Sequence, residues 1–86
     1  MSEAEHLRWV VQHLKEEIAD PAAYVASVRG KPLKHEFTKL VRLMTDGDQL
    51  WEWEWFGKIG PRDSYSMGWC VVRKGVAVAS YCYSYS

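Results

Sequence analysis

Residues 51–55 read Trp51-Glu52-Trp53-Glu54-Trp55, three indoles alternating with two carboxylates. Successive strand side chains point to opposite faces, so this period of two puts the indoles on one face and the charge on the other. The run predicts a strand over 49–56 and a sheet with a large aromatic load on one side. Carboxylates keep their hydration in contact with water. Glu52 and Glu54 are therefore expected on a solvated outer face, and the tryptophans on the face that packs against helices.

Downstream, residues 57–66 hold two glycines and Pro61 and read as a loop. A second strand over 67–73 and a third over 76–83 flank Lys74-Gly75, a two-residue hairpin turn. That turn sets Val71 opposite Val78 and Trp69 opposite Ser80. Trp69, Val71, Val76 and Val78 then join the tryptophan face. Cys70, Val72, Ala77, Ala79, Tyr81, Tyr83 and Tyr85 join Glu52 and Glu54 outside.

Upstream the period is helical. Ser2 and Glu5 fit a capping box, and Leu7, Val10, Val11, Leu14 and Ile18 form an apolar stripe, predicting a helix over 3–19. Asp20-Pro21 stops it and opens a short second helix over 21–29, with Gly30 as its C-terminal cap. Leu33, Phe37, Leu40, Val41 and Met44 give the third helix, over 32–45, the cleanest stripe in the chain. The expected fold is α+β, a single domain over 1–86 with three N-terminal helices on one face of a three-stranded antiparallel meander sheet.

Composition narrows the function. The 86 residues carry 11 acidic and 11 basic side chains, and zero net charge argues against a dedicated nucleic-acid or anionic-membrane binder. The charges are sorted in blocks. Residues 43–56 hold four acids and no base, residues 21–42 five bases and one acid, so blocks that neutralise one another in the fold are expected. The opening Met-Ser-Glu-Ala-Glu has no apolar signal-peptide core, and no apolar run approaches membrane-span length, which points to a soluble cytoplasmic protein. Cys70 and Cys82, placed on opposite faces by the hairpin register, read as free thiols.

Nothing here amounts to a catalytic signature, so the chain reads as a non-enzyme. His6 and His13 lie seven apart with no further metal ligands evident. Residues 58–66 lack the order of a phosphate loop, and no cofactor is implied. Glu52 and Glu54, about 7 Å apart at Cα, fall within the range for divided acid–base roles, but so short a chain leaves little room for a sugar cleft.

Binding residues are easier to name. Arg62 and Tyr65 lead the 57–66 loop, since loops carry function disproportionately. Tyr81, Tyr83 and Tyr85, beside Glu52 and Glu54, form a semi-apolar strip of the kind enriched at interfaces. The favoured function is a small interaction protein that binds a protein partner or itself through the outer sheet face and the C-terminal edge strand. A small-molecule or enzyme-accessory domain, with a pocket between helices and tryptophan face served by His13 or a tyrosine hydroxyl, is the alternative. Weak nucleic-acid binding through the basic second and third helices ranks third.

Overall fold

Ser2 and Glu5 form the capping box that their spacing predicts. The Ser2 hydroxyl accepts from the Glu5 N–H at 3.2 Å and donates to the Glu5 carboxylate at 3.1 Å. In the computed structural model, which describes residues 2–86, the helix they open, α1, spans Glu3–Val10 only. A 3-10 turn follows at Val11–His13. Leu14–Glu17 is then a strand, β1, where the periodicity predicts helix through residue 19.

Leu14 and Ile18 would share one face of a helix, and the sheet separates them. β1 lies along β2 (Gln49–Ile59), with Leu14 opposite Trp53, Glu17 opposite Trp51, and the Ile18 N–H donating to the Leu50 carbonyl at 2.8 Å. A bulge between Leu14 and Glu16 sends Leu14 to one face and Ile18 to the other, each into a different apolar cluster.

The other helices are shorter than their predicted spans. α2 (Pro21–Val25) starts where Asp20 accepts the Ala23 N–H at 3.2 Å and Pro21 takes the first turn. α3 spans Lys31–Leu43, and Phe37 and Leu40 of its predicted stripe are fully buried.

β3 (Arg62–Arg73) and β4 (Val76–Tyr85) complete an antiparallel sheet in the order β1-β2-β3-β4. The expected three-stranded meander is β2-β3-β4, and β1 adds a fourth strand at one edge. The expected 57–66 loop is mostly strand. β2 and β3 run into it and close on a two-residue turn at Gly60-Pro61, with Ile59 opposite Arg62.

That turn decides the faces. With Ile59 paired to Arg62, every odd-numbered residue of β2 meets an even-numbered residue of β3: Trp51 faces Cys70 and Trp53 faces Gly68. Trp69 and Val71 therefore share a face with Glu52 and Leu50, not with the three tryptophans. The Lys74-Gly75 turn forms with both residues at positive φ, +52° and +79°. Arg73 pairs with Val76 as expected, but a bulge at Val78 then slips the register, so Val71 meets Ala79 and Trp69 meets Tyr81. Cys70 and Cys82 consequently lie on the same face, not on opposite ones, both as free thiols.

Helices cover both faces rather than one. α2, α3 and the segment between them pack Phe37, Leu40, Val28 and Tyr24 against Leu50, Trp69, Val71, Tyr81 and Tyr83. α1 packs Val10 and Trp9 against Trp51, Trp53, Cys70 and Val72. Each indole buried this way removes about 150–250 Å² from water, on the order of 4–6 kcal/mol before ordering costs. Trp53 is 1% exposed, and its indole lies flat over Gly68, where an added Cβ would meet ring carbons at 2.5 and 2.6 Å. A glycine directly opposite Trp53 is thus what lets the ring sit against the sheet.

Candidate binding surfaces

The two carboxylates of the alternating run sit in a hydrogen-bonded cluster. Tyr24 and Tyr83 hydroxyls both donate to Glu52 Oε2, at 2.8 and 3.2 Å, and the Trp69 indole N–H donates to the Tyr24 oxygen at 3.0 Å. Lys15 Nζ on β1 stands 3.7 Å from Glu52 and 3.2 Å from Glu54. Burial, reinforced by the Glu52 charge, pushes both tyrosine hydroxyls above their ordinary range, so they stay protonated as donors. The expectation of a solvated acidic face is corrected here. Glu52 and Glu54 do share a face with Tyr81 and Tyr83, but α2 and α3 cover it, and the Glu52 side chain is only 17% exposed. The acidic block 43–56 is met by Lys15 and by Arg73, in the bidentate Arg73–Asp48 pair at 3.0 and 2.9 Å, and not, among the described residues, by an ion pair with the basic block 21–42.

The tyrosine strip divides. Tyr81 and Tyr83 lean on Trp69, with ring centroids 6.1 and 4.7 Å away, so both are packing residues. Tyr85 is 79% exposed. It lies near the far end of the β2–β3 hairpin with Arg62, Tyr65, Phe56 and Ile59. Arg62 and Tyr65 are strand residues, and Tyr65 exchanges backbone hydrogen bonds with Ser86. Phe56 and Ile59 are both well exposed, on opposite faces of β2, and Tyr85 shares the face of Trp55 and Ile59 rather than that of Glu52 and Glu54 as expected.

The two edges of the sheet differ. β1 is four residues long and carries Lys15, Glu16 and Glu17, the short charged form that resists strand addition. β4 is ten residues long, and from Val76 to Ser86 the chain has neither charge nor proline. Its ladder runs to β3 alone.

A pocket of about 370 Å³ opens between α1 and the tryptophan face, lined by His6, Trp9, Trp53, Trp55, Ser66 and Cys82. Ring planes meet at 80° for Trp9 and Trp53, 59° for Trp9 and Trp55, and 75° for His6 and Trp53. The Trp53 N–H is spent inside the protein, on the Trp69 carbonyl at 3.3 Å and Ser80 Oγ at 3.2 Å, so the floor offers ring surface only. Trp55 lies over Gly57 as Trp53 lies over Gly68; a Cβ at Gly57 would run into the Trp55 ring. His13, the expected pocket residue, instead packs beside Trp9 at 4.6 Å and is not in the lining. His6 and Trp9 are pocket residues that no sequence motif marks; the one signal is their spacing of three on α1, which places them on neighbouring helix positions.

Burial pushes the Cys70 thiol up to about 12, so it is no nucleophile near neutrality. No cluster of three or more His, Cys, Asp or Glu among the described residues is placed to hold a metal ion. No helix among them is long and apolar enough to cross a membrane. Compared with known proteins, the chain matches no family model, no curated sequence and no solved structure.

Proposed function

We propose that this protein is a small binding protein without catalytic chemistry of its own, and that it takes up an extended polypeptide segment, from a protein partner or a second copy, along β4. The observation that carries this reading is the contrast between the two edges. β1 is short and charged, whereas β4 is long, uncharged and proline-free, with Val76 and Val78 exposed along it. An edge of that kind pairs readily with an added strand through its free backbone groups. Tyr85, exposed near the end of β4 on the face of Trp55, adds apolar area to the same strand. Catalysis by the carboxylates is disfavoured because Glu52 is already held by two hydroxyls and a lysine.

The chain itself supplies one suitable occupant. Two β4 strands paired about a two-fold axis would form a continuous eight-stranded sheet with no like charges opposed along the seam. Sedimentation across the micromolar range tests this, comparing wild type with Val78→Lys/Tyr85→Lys, two exposed positions whose change leaves both cores intact. A dimer in the wild type and a monomer in the variant is the expected result. A wild type that stays monomeric at high micromolar concentration, with β4 amides exchanging at the same rate at every concentration, refutes self-pairing.

The alternative, a small-ligand site, is favoured by the pocket under α1. The third reading loses support from α2, which carries no charged residue, and rests on Lys31, Lys34, Lys39 and Arg42 of α3.

A further inference from the structure

We infer that the pocket formed by Trp9, Trp53, Trp55 and His6 is an aromatic cage for the methylated ammonium group of a small organic cation. The site lies on the tryptophan face of the sheet, borrows Cys82 from β4, and does not depend on strand pairing. Three features select this ligand class.

The first is shape. A flat ring is best held between two parallel faces, and the one near-parallel pair here, His6 and Trp9 at 27°, is already in mutual contact at 5.8 Å. The remaining walls meet steeply, at 59° to 80°. Walls of that kind enclose a compact, rounded group rather than a plate. A volume of about 370 Å³ sits at the small end of ligand sites, which run from about 300 to 1,000 Å³.

The second is charge. Indole faces carry negative potential and attract a cation held within about 6 Å of the ring centroid. Neither lysine nor arginine lines the pocket. Arg8, the nearest base on α1, lines a different groove with Ala4, Leu7 and Val11. Glu5 stands one turn before Trp9 on α1, so the nearest helix neighbour of Trp9 on that side carries a negative charge. An anion would find only the His6 ring as a source of positive charge in the lining.

The third is the shortage of hydrogen-bonding groups at depth. Because the Trp53 N–H is satisfied inside the protein, the floor replaces none of the water that a ligand rich in donors and acceptors would lose there, and such groups are left to the walls, at His6 and Ser66. A methylated ammonium spreads its charge over methyl groups and has little or no N–H to satisfy, so it suits a floor of ring carbon.

The two glycines make the cage possible. Gly68 lets Trp53 lie flat as the floor, and Gly57 lets Trp55 lie back as the outer wall. That arrangement supplies a probe that leaves the core alone. Gly57→Ala displaces the partly exposed Trp55 ring, whereas Trp55→Leu removes its π face.

The test is titration with choline, followed by indole N–H chemical shifts, in parallel with 3,3-dimethylbutan-1-ol, its uncharged carbon isostere. Choline is expected to bind saturably and to shift the Trp9, Trp53 and Trp55 resonances. Its preference over the isostere should be on the order of tenfold, the scale of a few desolvated cation–π contacts. Trp55→Leu and Gly57→Ala should each weaken choline binding severalfold. Equal binding of the isostere would make the pocket merely apolar and overturn the inference. Absence of saturable shifts, or choline binding unchanged in both variants, would overturn it as well.

Discussion

Replacing Glu52 by alanine tests the most consequential correction that the structure makes to the sequence. On an outer face this change would cost well under 1 kcal/mol, as surface substitutions do. In the structure it deletes the common acceptor of two tyrosine hydroxyls, at 2.8 and 3.2 Å, on a side chain that is largely covered. A hydrogen bond to a charged group contributes about 1.5–3 kcal/mol. Two that share one oxygen, partly open to water, should sum to about 2–4 kcal/mol rather than to their full total. The loss also strands the Tyr24 hydroxyl, whose remaining bond is the one it accepts from Trp69. Urea unfolding followed by far-UV circular dichroism measures the difference, provided that the slopes of the two curves agree. Glu54→Ala is the internal control, since the Glu54 carboxylate is engaged in a partly exposed ion pair with Lys15 and should shift the midpoint little. Tyr24→Phe and Tyr83→Phe should each recover part of the Glu52→Ala effect, and double-mutant cycles should show positive coupling. If Glu52→Ala stays within about 0.5 kcal/mol of wild type, or Glu54→Ala costs as much, the buried network is wrong.

Gly68→Ala should destabilise by about 1–3 kcal/mol or more, as overpacked sites do, because the new methyl meets the Tyr81 carbonyl and the Trp53 ring together; calorimetric melting checks it. The Asp48 side chain, buried against Arg73 and the Thr45 N–H, has its carboxyl held down at about 2 from an ordinary 3.8. A depressed carboxylate stabilises the fold above its unfolded pKa, and that contribution is lost as pH falls from about 4 through about 2. Asp48→Asn should therefore flatten the acid limb of a stability–pH profile, and an unchanged limb would exclude the pair as its cause. Alkylation without reductant should label Cys82 before Cys70, whose thiol is buried and raised to about 12; equal rates under native conditions would contradict the burial.

Tryptophan and glycine positions show how far the sequence reaches toward the binding surfaces. That Trp51, Trp53 and Trp55 share one face was legible from their spacing alone, and so was β4 as an edge strand following a hairpin. The pocket was not. Its other walls, His6 and Trp9, come from a helix more than 40 residues away, and nothing local says on which side of the sheet that helix lies. The charge on Glu52 misled for the same reason. Its solvation depends on Tyr24 and Tyr83, which lie 28 and 31 residues away.

What the sequence determined by itself are the features enforced by hydrogen bonds or side chains within about four residues. These are the Ser2–Glu5 capping box, the Asp20-Pro21 helix start, the α3 stripe, the strand through the tryptophans and the Lys74-Gly75 turn. Tertiary structure alone decided the rest. Leu14–Glu17 satisfies a helical and an extended pattern alike, and it became β1 because β2 offered unpaired backbone groups that a longer α1 would have left open. Which face each strand residue took followed from parity, fixed at the Gly60-Pro61 turn and reset by bulges at Val78 and Tyr83. A shift of one residue at any of these places exchanges inside for outside along the strand beyond it. The side on which α1 packs, and with it the pocket, was settled only when each apolar face of the sheet found a helix to cover it.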